Sequence, residues 1–209
     1  MGYEAALKKA WDAVQDAGVK QQYLKFLNDE YEIDYAEKNI IHSSAIKTNG
    51  GLSIPPKEPR ASARVGSISM SCNIPAKDFY KLLMLHYIAN ENRVLRIRRD
   101  EWISFKDLDG GEAYFSAFKK RAIDPILRKY GDNPSNIFER ARFLSADKID
   151  TGTAGVSINA FPKIKVAVIL WAKDDEFPAD CNMLFNPEIK DIFPTEDVAV
   201  LGGITAALL

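Results

Sequence analysis

From Ile164 to Trp171 the chain reads I-K-V-A-V-I-L-W, and Val166 to Leu170 is apolar at every position. A strand with that composition has no solvent-facing side, so it belongs in the middle of a sheet covered on both faces. Val156 to Phe161 forms the matching strand, and Pro162-Lys163 supplies the break between the two. Such a pair demands layers of other elements above and below it. The expected architecture is therefore α+β, a mostly antiparallel sheet covered by helices.

The covering elements are legible from spacing. Tyr3, Leu7, Trp11 and Val14 follow a helical rhythm that Gly18 ends, and Val19 to Phe26 reads as a second short helix. Tyr31, Ile33 and Tyr35 alternate with charged residues as in a half-buried strand, with a hairpin toward Ile40 and Ile41. Pro75 to Asn90 is a helix carrying Phe79, Leu82, Leu83, His86 and Tyr87 on one side, and Pro75 suits its first position. Further helices are predicted over 112–122, with Asp124-Pro125 opening a short continuation, and over 134–144. The last helix, 196–209, is apolar almost all round and is expected to be buried, with Thr195 as its N-cap. Gly202-Gly203 inside it predicts close packing against a neighbour. The sheet draws on strands near 31–41, 64–72, 94–105 and 156–171. Strand order is not readable at this level.

Residues 1–209 are expected to form a single domain with a flexible excursion at about 48–64, where Gly50, Gly51, Pro55, Pro56 and Pro59 exclude regular structure. The 28 basic and 29 acidic residues leave a net charge of -1, so a nucleic-acid partner is not expected. No apolar run approaches the roughly 20 residues of a membrane span, and Met1 to Gln15 is charged and amphipathic rather than a leader. These features predict a cytoplasmic protein without a membrane partner. Cys72 and Cys181 lack metal-type spacing and read as buried reduced thiols, and His42 and His86 read as satisfied boundary residues.

Two segments concentrate charge. Arg93, Arg96, Arg98 and Arg99 fall within seven positions, and guanidinium forks suit phosphate or carboxylate oxygens. The competing reading is a solvated strand face paired with Asp100, Glu101 and Asp107. The second segment, W-A-K-D-D-E-F-P-A at Trp171 to Ala179, places Asp174, Asp175 and Glu176 where the core strand emerges, and Glu196 and Asp197 add two acids in the first turn of the last helix. Carboxylates in that number suit a divalent cation, with Asp175 and Glu176 as the first candidate ligands, or a general acid and base. They are equally explained as turn residues and as acids at a helix N-terminus. The candidate ligand-binding set is Arg96, Arg98, Arg99, Trp171, Asp174, Asp175, Glu176, Glu196 and Asp197.

The same C-terminal pattern, W-x-x-D-x-E-F-P-A at Trp171 to Ala179, then Leu184-Phe185 and P-T-E-D at Pro194 to Asp197, resembles the uncharacterised prokaryotic family known as domain of unknown function 3786. Leu82 to Tyr87, Trp102 to Phe105, Gly110 to Tyr114 and Phe161 to Ile164 fall in the expected order. The resemblance implies a bacterial or archaeal origin, with anaerobes prominent, and brings no activity. Some relatives carry a cysteine-rich iron-sulfur segment; this chain has no cysteine cluster, so an iron-sulfur cofactor is not supported. Asn186 stands where the resemblance implies an aspartate.

Two functions from different classes follow. One is a non-catalytic binding or accessory protein, serving anaerobic cofactor or redox metabolism, that holds a small anionic ligand or a protein partner. The other is a divalent-metal-dependent hydrolase or transferase built on Asp174 to Glu176 with Glu196 and Asp197.

Overall fold

The computed structural model describes residues 3–43, 77–97 and 101–209. The loop expected at 48–64, the strand at 64–72, Pro75, Cys72, Arg98 and Arg99 lie outside the described residues.

Helix α1 (Tyr3–Asp16) leads into a three-stranded sheet of β1 (Tyr23–Phe26), β2 (Asp29–Asp34) and β3 (Asn39–His42), antiparallel and in that order. The expected hairpin is the β2–β3 pair. Beyond α2 (Asp78–Asn90) a second antiparallel sheet is assembled from β4 (Ile103–Ser104), β5 (Asp147–Ile149), β6 (Ala154–Phe161), β7 (Ile164–Trp171) and β8 (Asp180–Phe185), ordered β4-β8-β7-β6-β5. Strand β7 is the middle strand, and every residue of it except Lys165 and Trp171 is buried. The α+β architecture follows directly from that placement: one strand apolar on both faces forces covering layers.

The helices between β4 and β5 are α3 (Gly111–Phe118), α4 (Asp124–Tyr130) and α5 (Ile137–Ala141), and α6 (Ile189–Ile192) and α7 (Thr195–Leu208) follow β8. Asp124 opens α4 without interrupting the backbone, because a wider π turn over Lys119–Ile123 carries the helix from α3 into α4. Lys119 Nζ bonds Asp124 Oδ1 at 2.8 Å beside that turn.

Phe161 joins the layers. Its ring stacks on Tyr87 of α2 at 4.6 Å and on Phe26 of β1 at 4.7 Å. Next to it, the Leu27 N–H donates to Ala160 O at 2.7 Å, linking the small sheet to the large one. Aromatic stacks of this kind add about 0.5–1.5 kcal/mol beyond area burial, so Phe161 is a main tie between the two sheets.

Four expectations are corrected. The helix expected over Val19–Phe26 is strand β1 from Tyr23, because Leu24 and Phe26 are buried while Tyr23 and Lys25 face solvent, a period of two. Among the described residues, the strand expected over 94–105 is confined to Ile103 and Ser104, which pair with Phe185 and Leu184. Among the described residues upstream, 94–97 are irregular, and Leu95 is 94% exposed. Strands β5 and β8 were not anticipated, although β8 alternates exposed Asp180 and Asn182 with buried Cys181, Met183 and Phe185. Thr195 is the first helical residue of α7 rather than its cap, and its hydroxyl donates to Asp109 O at 2.7 Å. Among the described residues no helix is long and apolar enough to cross a membrane.

Candidate functional site

A polar cleft lies where α2 ends against the α6–α7 corner. Helix α2 passes into a 3-10 turn at Glu91–Arg93, which puts Asn90 and Arg93 on one wall. The opposite wall is the stretch from Lys190 through Glu196, held in place because the Ile189–Ile192 helix is anchored by two buried isoleucines. Asn90 pins the walls together: its Nδ2 donates to His86 O and to Ile192 O, both at 3.0 Å. The floor is closed by Leu108 and Phe193, and the enclosed volume is about 420 Å³, within the range of small-molecule sites.

Two cations, Arg93 and Lys190, and three carboxylates, Asp109, Asp191 and Glu196, line this cleft. Among the described residues neither Arg93 nor Lys190 has an ion-pair partner. The field of Lys190 reaches Asp107, whose carboxyl is held below the usual aspartate range, chiefly by the Ser104 N–H donating to it at 2.7 Å. The first turn of α7 opens onto the same space, and its dipole favours negative charge there.

Behind the cleft, His86 of α2 and Asp197 of α7 meet through Nδ1 and Oδ2. Asp197 is only 6% exposed, so the carboxylate is withdrawn from water and satisfied by the imidazole. His86 is thus a boundary residue with a defined partner, as the sequence suggests, but that partner is an acid from the C-terminal cluster.

The structure separates the acids that the sequence groups. Asp174, Asp175 and Glu176 are exposed in the β7–β8 loop. There the Asp174 carboxylate accepts the N–H groups of Glu176 at 2.9 Å and Phe177 at 2.7 Å, closing its own turn. That loop neighbours the far end of α7: a Cβ at Gly131 would touch Ala179, and the adjacent Lys129 and Tyr130 bond Leu209 O. Asp197 and Glu196 lie at the near end, roughly 20 Å away along a 14-residue helix. Among the described residues no group of three His, Cys, Asp or Glu side chains converges as a metal would require. Trp171 ends β7 half-buried opposite Asp180, and Arg96 stands exposed in the irregular stretch before β4.

Of the sequence-selected residues, Glu196 lines the cleft and Asp197 backs it. Sequence reasoning passes over Asn90, Asp109 and Lys190, and counts Arg93 without selecting it. The one available signal is Asn90 at a helix end, since nothing local shows that α6 folds back onto it.

Asn186 has a structural explanation. Its Nδ2 donates to Lys163 O at 2.9 Å and to buried Glu188 Oε2 at 2.7 Å, while its Oδ1 accepts from Lys165 N at 2.7 Å. Only an amide both donates and accepts in that way.

No curated protein and no solved structure matches the chain. The family described as Domain of unknown function (DUF3786) matches residues 63–207, a stretch that contains α2, the five-stranded sheet and every residue of the cleft. On that match over more than half of its length, the chain belongs to the DUF3786 family.

Proposed function

We propose that the chain is a non-catalytic binding or accessory protein that holds a small anionic ligand in the cleft between the end of α2 and the α6–α7 corner. The observation that carries the reading is the pair Arg93 and Lys190, brought into one cleft from separate segments without ion-pair partners among the described residues, at the N-terminus of a 14-residue helix. Two uncommitted cations and a helix dipole favour phosphate or carboxylate oxygens. The carboxylates of Asp109, Asp191 and Glu196 repel a bare polyanion and accept hydrogen bonds, which points to a ligand that carries hydroxyl or amino groups beside its anionic group. Phosphorylated or carboxylated metabolites of that kind fit a volume of about 420 Å³. The setting we assign it, as part of the same proposal, is prokaryotic and anaerobic cofactor or redox metabolism.

The test is a thermal-shift titration of the full chain, handled anaerobically, against sugar phosphates, nucleoside monophosphates and hydroxy acids, repeated on Arg93→Ala and Lys190→Ala. Binding at a hundred times the dissociation constant stabilises the native state by about 2.7 kcal/mol. A shift that both variants abolish, without turnover of the bound compound, supports the reading. A shift produced by divalent cations alone, and lost in Asp175→Ala or Glu176→Ala, would replace it with the metal-dependent hydrolase or transferase.

A further inference from the structure

We infer that the N-terminal unit holds a second, independent ligand site: a half-open cavity that takes a small amphipathic anion, with an apolar or aromatic body and a single charged head. The cavity lies between the C-terminal half of α1 and the three-stranded sheet, encloses about 610 Å³, and belongs to the part of the chain that precedes the family match. That volume is in the middle of the range for small-molecule sites.

Its walls are apolar and rigid. Trp11, Val19, Ile33 and Tyr35 supply them. Trp11 and Tyr35 meet edge to face at 6.1 Å, and the Tyr35 hydroxyl donates to Gln21 O at 2.8 Å, so the aromatic wall is fixed before any ligand arrives. Gly18 makes the opening. It ends α1 at φ +65, a conformation that favours glycine, and a Cβ built there would meet nothing within 4 Å. The turn sends Val19 and Lys20 back along the rim.

The charged side chains that line the cavity are cationic. Among the described residues Lys20 and Lys38 line the cavity and no carboxylate does. Lys20 has no ion-pair partner among the described residues, and Lys38 has only Asp12 at 3.7 Å, with both side chains about half exposed. An exposed pair at that distance is weak and easily exchanged for a ligand carboxylate. Apolar walls exclude a bare inorganic anion, and the lysines exclude an apolar cation. What remains is an aromatic or medium-chain acid whose head reaches the two ammonium groups.

The experiment uses two dyes of nearly the same shape on the full chain: anionic 8-anilinonaphthalene-1-sulfonate and neutral N-phenyl-1-naphthylamine. Expected are saturable one-site binding of the anionic dye, displacement by decanoate, and an affinity about fivefold above that of the neutral dye. Lys20→Gln with Lys38→Gln removes the preference and leaves the neutral dye unchanged. Val19→Trp fills the space and abolishes binding of both dyes, with the melting temperature retained as a check on folding. Equal affinities, insensitivity to the lysine variants, or unsaturable binding overturn the proposal, as does a dimer whose formation blocks the dye, because a second copy of the chain then covers the cavity.

Discussion

His86 and Asp197, from helices at opposite ends of the family match, meet through Nδ1 and Oδ2 with the carboxylate buried. This contact ties α2 to the first turn of α7 directly behind the cleft, so it fixes the position of Glu196 and of the helix N-terminus. Asp197→Ala is expected to cost about 1–3 kcal/mol, because it leaves the imidazole without its partner. A double-mutant cycle with His86→Ala, followed by urea denaturation, is expected to give a coupling of about 0.5–3 kcal/mol. Strictly additive losses would show that the contact carries no energy.

The neighbouring glycines of α7 have opposite requirements. A Cβ at Gly202 would lie 2.6 Å from Phe118 Cε2 and 3.1 Å from Met183 Sδ, whereas one at Gly203 would meet nothing within 4 Å. Gly202→Ala therefore overpacks the layer between α7 and β8 and is expected to cost about 1–3 kcal/mol. Gly203→Ala is expected to stabilise by up to about 1 kcal/mol through helix propensity alone. Thermal melts of the two variants, moving in opposite directions, check both.

Asn186→Asp would restore the residue type that the resemblance to the family leads one to expect, and here it is expected to be harmful. The new carboxylate would face buried Glu188 and lose the donor that serves both Glu188 Oε2 and Lys163 O. A loss of about 2–4 kcal/mol is expected at neutral pH. The deficit shrinks as the pH is lowered through the carboxylate range, since protonating either acid relieves the repulsion. Denaturation midpoints at pH 7 and pH 4 measure it.

Cys181 is buried in β8, and burial together with the charge of Asp180 pushes its thiol up to about 12. At pH 8 only about one molecule in ten thousand carries the thiolate that reacts. In a Cys72→Ser background, alkylation by iodoacetamide is expected to be negligible for the folded protein and complete in denaturant. Rapid labelling of the native protein would place Cys181 in a more open environment than the sheet provides.

What the sequence by itself determined is each element whose own side chains record its environment. The β6–β7 pair and the buried α7 were legible because they are apolar nearly throughout, α1 and α2 because their apolar residues recur at a helical period, and the close packing expected at Gly202-Gly203 holds at Gly202 and not at Gly203. Period two is also present in Leu24 and Phe26 of β1 and in Cys181, Met183 and Phe185 of β8, but a strand of four to six residues offers too few repeats to outweigh competing patterns. Tertiary structure alone decided which charges share a space. The arginine-rich stretch alternates as a strand does and yet is irregular over its described residues 94–97, so Leu95 and Arg96 face solvent. The carboxylates of the β7–β8 loop and of α7 are separated by the length of that helix, while Arg93 and Lys190 converge because Asn90 binds the end of α2 to Ile192 O. A local pattern states that a face must be buried; which distant residue covers it depends on the packing of the whole chain, and the charges that meet are set by that packing.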